Sequence, residues 1–249
     1  MIILRNANEI DQMRDACKIS AQALLIAKKY MHKGVSTKEI DDAIAREIAS
    51  CGAKASFLGY GGFPASACIS VNNQVIHGIP SSKILLDDGD IVSVDVGAFY
   101  NDYHGDNAFT YAVGEISDDA KLLLKVTNEC LYKGIEQAKI GNRIGDISNA
   151  VETHARKYNF GVVKTYVGHG VGKSLHEDPE IPNYGKAGRG VRLAKGMTIA
   201  IEPMINLVGD GVTTQSDGWT VLTNSGSISA HFEHSIFISE DGPKILTQV

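Results

Sequence analysis

The chain has 249 residues, 43% of them apolar, the composition of an ordinary globular protein long enough to bury a sizeable core. Its net charge is −5 with acids and bases interspersed, so no basic stripe marks a nucleic-acid surface and no charge run marks a tail. The four cysteines (Cys17, Cys51, Cys68, Cys130) form no C-x-x-C pair, and no apolar run reads as a leader or a membrane span, so a zinc knuckle is not expected and a reducing cytoplasm is the simplest home.

Asn8 is the expected cap of a first helix that presents Ile10, Met13, Cys17, Ala21, Leu24, Leu25 and Met31 on one face, with Gly34 ending it. Ser36-Thr-Lys-Glu39 reads as a capping box. The helix it opens buries Ile40, Ala43, Ile44 and Ile48 and stops near Gly52. The glycine-rich stretch FLGYGGFPASACISVNNQVIHGIP (57–80) is loop-like at first, then offers short strands at Cys68–Val71 and Val75–Ile79. Leu86-Asp-Asp-Gly-Asp90 turns the chain into IVSVDVGAFYNDYHGDNAFT (91–110), which alternates as two strands joined by a tight turn. Val92, Val94 and Val96 point one way; Ser93, Asp95 and Gly97 point the other. Turning at Tyr100–Asn101 sets Asp95 directly opposite Asp106, with Cβ atoms about 5 Å apart. Carboxylates that close resist ionising together unless a cation or a shared proton lies between them. Alone, the pair reads as two exposed acids on a solvated face; the rest of the chain overturns that reading.

A second long helix starts at Ser117 and presents Ala120, Leu123, Leu124, Thr127, Leu131 and Ile135 before Gly141. A shorter one carries Ile144, Ile147, Val151 and Ala155 and closes around Asn159–Gly161. Strands and loops follow, through MTIAIEPMINL (197–207) and HFEHSIFIS (231–239). Two helices followed by strands thus occur twice. Gly34 and Gly141 differ by 107 positions, as do Ile40 and Ile147, Ala43 and Ala150, Gly89 and Gly196, and Asp95 and Glu202. A duplicated α+β unit is expected, with halves of roughly 1–110 and 111–249 in one domain sharing a core about a pseudo-twofold. Acids at equivalent positions would then converge near the axis.

Four acids, Asp95, Asp106, Glu202 and Glu233, stand inside or at the ends of apolar strands, where Asp and Glu are depleted and rarely buried unpaired. A shared cation explains four better than chance does. Pro203 removes a backbone donor right after Glu202, which suits a strand end beside a cavity. His169 lies between Gly168 and Gly170, which allow close backbone approach and leave the imidazole accessible. The glycines there lack the spacing of a nucleotide fingerprint, and His176-Glu177-Asp178 is not H-E-x-x-H.

Taken together, YGGFPASACISVNNQVIHGIP, DVGAFYNDYHGD, GHGVGKSLHEDP, AIEPMIN and HFEH make the chain very similar to type I methionine aminopeptidases, of the pita-bread metallopeptidases. The similarity runs from the first helix to the C-terminus. The resemblance implies the pita-bread fold, with a central antiparallel sheet and outer helices. It implies that Asp95, Asp106, His169, Glu202 and Glu233 hold two divalent ions from among Co²⁺, Mn²⁺, Fe²⁺ and Zn²⁺, with Asp106 and Glu233 bridging. It implies that Glu202 relays the water proton, that His176 binds the developing oxyanion, and that His77 contacts the scissile amide or orients the substrate amine. Tyr60, Phe63, Cys68, His77 and Trp219 would form the methionine pocket. Phe57 and Leu175 are departures, since many bacterial relatives carry Cys and Phe there. Some relatives bind a monovalent cation near the position of Asn72.

The implied activity is removal of the N-terminal methionine from newly made proteins. The expected partner is a nascent polypeptide or peptide N-terminus, with transient ribosome contact, no nucleic-acid specificity, no membrane and a monomeric state. Only 30 residues separate Glu202 from Glu233, which leaves no room for the helical subdomain of type II enzymes. The chain starts almost directly with the first helix, which points to a compact bacterial-type enzyme. Two other readings stand beside this one: an Xaa-Pro peptidase resembling aminopeptidase P or prolidase, and a non-catalytic binding protein on the same fold.

Overall fold

The computed structural model describes Met1–Val249. Its first helix, α1 (Ala7–Lys28), is capped by Asn6 rather than Asn8. Asn6 Oδ1 accepts the Glu9 N–H at 3.1 Å, and a Glu9 carboxylate oxygen accepts the Asn6 N–H at 2.9 Å. This reciprocal pair needs a glutamate three residues after the cap, which Asn6 has and Asn8 lacks. The helix stops at Lys28, so Met31 lies beyond it. Gly34 serves a later turn instead, with φ +88° and its N–H on Leu86 O at 2.8 Å. Ser36 and Glu39 form the expected capping box of α2 (Thr37–Ser50).

After β1 (Lys54–Ala55) and a 3₁₀ turn at Tyr60–Gly62 come β2 (Ala67–Val71) and β3 (Gln74–Ile76). The expected strand to Ile79 is cut short because His77 adopts a left-handed φ of +58°. The longest hairpin follows, β4 (Ile91–Tyr100) and β5 (Tyr103–Ala112). β5 runs along one edge of β4, while β2 and β1 share the other.

The hairpin turns at Asn101–Asp102, not at Tyr100–Asn101. Both residues have positive φ, 49° and 66°, as a two-residue type I′ turn demands, and Asn and Asp tolerate that region. Tyr100 therefore pairs with Tyr103, Gly97 with Asp106 and Asp95 with Ala108. The expected direct opposition of Asp95 and Asp106 is corrected to a diagonal one. They share a face, one pair apart, where Cβ atoms lie up to about 7–8 Å from each other. On the other face, Val92, Val94 and Val96 pack under Leu24, Ile40, Ile44 and Ile48 of the two helices. Truncating the fully buried Ile44 to Ala would cost about 2–5 kcal/mol.

The second half repeats this plan with α3 (Asp118–Gln137), capped by Ser117, and α4 (Ile144–Arg156). Its strands are shorter: β6 (Gly161–Val162), β7 (Gly168–Gly170), β8 (Glu177–Ile181), β9 (Thr198–Ile201) and β10 (Met204–Asn206). They continue with β11 (Val212–Thr214), β12 (Val221–Thr223), β13 (Ser229–His231), β14 (His234–Ser239) and β15 (Gly242–Ile245). Five of them form the antiparallel sheet β15-β14-β9-β7-β8. Leu123, Val126, Ile147 and Val151 of the helices bury Ile199, Ile201 and Ile236 of that sheet.

Equivalent hydrogen bonds recur at the 107-residue offset. Gly34 N–H to Leu86 O matches Gly141 N–H to Leu193 O; Thr37 N–H to Ile84 O matches Ile144 N–H to Val191 O. The halves are stitched along β5. Thr110 Oγ1 donates to His231 O at 2.8 Å and accepts from His231 N–H at 2.9 Å. Ser235 Oγ donates to Asp106 O at 2.7 Å, and Glu233 N–H donates to Ala108 O at 2.9 Å. These bonds carry Glu233 to the face on which Asp95 and Asp106 stand.

Candidate active site

The two halves enclose a cavity of about 190 Å³. Asp95, Asp106, His169, Glu202 and Glu233 line it, and so do His77, His176, Tyr60, Phe63, Cys68 and Trp219. The five acid and imidazole candidates, both further histidines and the pocket residues read from the sequence are therefore brought to one place, and Asn72 is not among its lining. Asp106 and Glu233 are buried, Asp95 and Glu202 half-buried. Asp106, His169 and Glu233 offer ligand atoms that all lie within 4.8 Å of one another. Asp95 and Glu202 share the cavity but stand outside that trio.

Each acid reaches the cavity differently. Asp95 and Asp106 project from the continuous strands β4 and β5. Glu202 follows the last residue of β9, where Pro203 supplies no N–H to prolong the ladder. Glu233 falls in the gap between β13 and β14, so the alternation of HFEHSIFI does not run unbroken. His169 stands on β7 between two glycines that are needed for close approach: a Cβ at Gly168 would strike Ala200 O, and one at Gly170 would strike Asp178 O.

His169 Nδ1 lies 2.8 Å from Gly170 O, an acceptor only, so Nδ1 carries the ring proton. That leaves the Nε2 lone pair facing the acids, 3.5 Å from Glu202 Oε1 and 3.9 Å from Asp106 Oδ2. Burial, with the neighbouring His176, pulls the His169 pKa down to about 3, so the ring is neutral. The four carboxyls are all pushed upward, first by burial. The charge of Asp106 adds to this at Asp95, and those of Asp95 and Asp106 at Glu202. Asp95 Oδ1, Asp106 Oδ1 and Glu233 Oε1 are buried with no hydrogen-bond partner. No Lys or Arg lines the cavity to balance them. Buried oxygens of that kind are costly. The donor set, mostly carboxylate oxygen with one neutral imidazole, fits divalent cations.

His176 sits over His169, ring centres 4.1 Å apart, and its Nδ1 is 2.7 Å from the Tyr60 hydroxyl. The sequence reading put Tyr60 in a pocket wall and missed this hydrogen bond. His77, held at its positive φ, lies edge-on to Tyr166 and Trp219 at 5.5 and 6.0 Å. Burial lowers its pKa to about 4, so it too is neutral near pH 7. Phe57, Phe63, Cys68 and Leu175 form one small apolar cluster with Trp219 against it. Both departures flagged in the sequence thus reach the pocket lining.

Two further residues escaped the sequence reading. Tyr166 lines the cavity behind His77. His231 is 1% exposed, with Nε2 3.6 Å from Glu202 Oε2 and no hydrogen bond at either ring nitrogen. Its place beside Glu233 in HFEH was the only signal for it.

Residues 11–240 match metallopeptidase family M24. The methionine aminopeptidase of Clostridium acetobutylicum is 51% identical over 247 residues, 99% of each chain. Methionine aminopeptidase 1 of Bacillus subtilis is 52% identical over 249 residues, all of each chain. The crystal structure of methionine aminopeptidase from Thermotoga maritima superposes over the whole of both chains with a TM-score of 0.98 at 44% identity. A prolidase from Pyrococcus furiosus has a TM-score of 0.80 at 25% identity, with 99% of this chain matched to 66% of that one.

Proposed function

The chain belongs to metallopeptidase family M24 and has the pita-bread fold, and on that premise we propose that it removes the N-terminal methionine from newly made proteins and peptides. It prefers a small second residue and hydrolyses the first peptide bond in a metal-dependent reaction. The observation that carries this reading is the cavity itself. It combines four carboxyls lacking a basic partner with an adjoining apolar wall of Phe63, Cys68 and Trp219.

Asp95, Asp106, His169, Glu202 and Glu233 would hold two divalent ions of the Co²⁺, Mn²⁺, Fe²⁺ or Zn²⁺ type. Ions bound there would supply Lewis-acid polarisation of the carbonyl and acidify water. The chain's own residues do the rest. Glu202 takes the proton of the attacking water and passes it to the leaving amine. His176 Nδ1 lies 2.7 Å from the Tyr60 hydroxyl, and with that hydroxyl as donor the ring proton stands on Nε2, which donates a hydrogen bond to the carbonyl oxygen as charge develops. His77, neutral, contacts the scissile amide or orients the substrate amine. Tyr60, Phe63, Cys68, His77 and Trp219 surround the methionine side chain.

A monovalent cation near Asn72 belongs to the same reading; Asn72 sits in a left-handed turn, φ +54°, with its carbonyl accepting from Ser229 N–H at 2.9 Å. The chain works as a cytoplasmic monomer on nascent N-termini, in transient contact with the ribosome. No helix is long and apolar enough to cross a membrane.

Cleavage of Met-Ala-Ser set against Xaa-Pro peptides tests the reading. Methionine release from the first alone is expected. Cleavage of Xaa-Pro alone would replace the reading with the prolidase alternative, which 25% identity and partial coverage already disfavour. Cleavage of neither, with metal bound, would leave the binding-protein reading.

A further inference from the structure

We propose that Arg5 is a positioning residue for His176; this rests on the role given to His176 above. Arg5 precedes α1 and is 6% exposed. Its Nη2 donates to both carboxylate oxygens of Glu177, at 2.7 and 2.6 Å, and its Nη1 donates to Thr198 Oγ1 at 2.6 Å. Thr198 in turn donates to Val171 O at 2.6 Å. One guanidinium therefore ties together the first residue of β8, the first residue of β9 and the residue that follows β7. His169, His176 and Glu202 lie on these three strands or next to them.

The connection from β7 to β8 carries His176 at its end. That residue is exposed, so burial alone does not fix it. Its ring has the Tyr60 hydroxyl and the face of His169 as partners. The next residue is another matter. The side chains of Arg5 and Glu177 are 2% and 7% exposed, and because Nη2 holds the carboxylate while Nη1 is fixed on Thr198, the planar guanidinium sets direction as well as distance. The loop is shaped around the guanidinium: a Cβ at Gly172 would occupy the position of Arg5 Nη2. Glu177 Oε1 also accepts the Ser174 N–H at 3.1 Å, which folds the loop back onto the same carboxylate. Deprived of Arg5, a buried carboxylate would be left uncompensated. It would move outward to water and take His176 with it.

The experiment is a cycle of Arg5→Met and Arg5→Lys in the wild-type and His176→Ala backgrounds, on the full metal-loaded chain, with Met-Ala-Ser as substrate. In the wild-type background Arg5→Met should lower kcat about 10–100-fold with KM changed less than about twofold. Arg5→Lys keeps the charge without the fork and should recover part of the loss. In the His176→Ala background Arg5→Met should change kcat by less than about twofold. A second readout is independent of activity: the ring ¹⁵N signals of His176, identified by their loss in His176→Ala, should shift in Arg5→Met. An equal fall in both backgrounds would overturn the proposal, as would wild-type kcat together with unmoved His176 signals. Should Arg5→Met not fold, Arg5→Lys decides the same cycle. Should the wild type release no methionine, the functional reading falls, and the ring signals still decide whether Arg5 holds His176.

Discussion

The acids of the first half stand inside unbroken strands, and those of the second stand where strands are interrupted. Asp95 and Asp106 belong to two ten-residue strands with a common ladder. Glu202 follows the four-residue β9, and Glu233 fills the gap between the three-residue β13 and the six-residue β14. A ladder aims a carboxylate through register, and the aim is rigid. At a break the aim comes from bonds across the fold instead: the Glu233 N–H donates to Ala108 O, and the Glu202 carbonyl accepts from Asn183 Nδ2. The second half also holds what the first lacks: the hairpin β11–β12, placed between β10 and β13, which brings Trp219 to His77. The first half reads as a frame that also supplies most of the apolar pocket, and the second as the part proposed to move protons, with Trp219 closing the pocket.

The sharpest test of that division is Glu202→Gln, which keeps shape and removes the proposed proton acceptor. It should lower kcat about 10²–10⁴-fold with KM little changed, measured as methionine release at saturating Mn²⁺. Turnover near wild type would take the proton role away from the second half.

Asp106→Ala probes the frame. Metal at about 100 times its dissociation constant adds roughly 2.7 kcal/mol to a protein that binds it only when folded. For a chain of this size the melting temperature should rise on the order of 5–10 °C when Mn²⁺ or Co²⁺ is returned to chelator-stripped protein. Mg²⁺ should do less, because it prefers water-rich octahedral oxygen shells. Asp106→Ala should remove most of the rise. Identical melting curves for stripped and loaded wild type would count against a metal centre in this cavity.

Trp219→Ala should reduce kcat/KM for Met-Ala-Ser about tenfold while leaving the metal-dependent rise in melting temperature unchanged, since the lost contact is apolar. Loss of the rise as well would mean that the inserted hairpin supports the acids and is not only a wall.

The smallest effect concerns how that hairpin is anchored. Asp210, just before β11, accepts from Arg156 Nη1 and Nη2, both at 2.7 Å, and from Val162 N–H at 3.0 Å, with Lys164 at 2.9 Å. The hydrogen bonds from Arg156, then from Lys164, hold its carboxyl well below the usual carboxylate range. A depressed folded pKa contributes stability above the unfolded value of about 3.9 and loses it as pH falls below. Asp210→Asn should therefore cost about 1 kcal/mol in urea unfolding at pH 7 and progressively less below about pH 4. A difference independent of pH would show that the charge is not what anchors the loop.

Much of this was legible because the acids interrupt apolar alternation. Asp95 in IVSVDVG and Glu202 in MTIAIEP are conspicuous against their neighbours, and the 107-residue offset links them. The hairpin register was not legible, for a definite reason. Pairing Asp95 with Asp106 and pairing it with Ala108 differ by a slip of two residues, and a slip of two leaves every side chain on its own face. Alternation cannot separate the two; only the positive φ at Asn101 and Asp102 does. The Asn6 cap had a local signal, Glu9 three residues on, which outranks the shorter spacing to Asn8. His231 had only its place in HFEH, and Arg5 had none. Their partners lie across the fold, at Glu202 and Thr110 for one and at Glu177 and Thr198 for the other.

The turn at Asn101–Asp102 also limits how this lineage can change in length. It already uses the fewest residues that reverse a ladder, so an extra residue there only enlarges a loop. Removing one while keeping a two-residue turn slides β5 by a single position, which turns Asp106 toward the helices and brings Asn107 to the cavity side in its place; keeping the register instead costs the Tyr100–Tyr103 pair, which opens into a three-residue loop. An insertion at that tip is therefore the cheaper change in length, while a deletion gives up either a ladder pair or the place of Asp106.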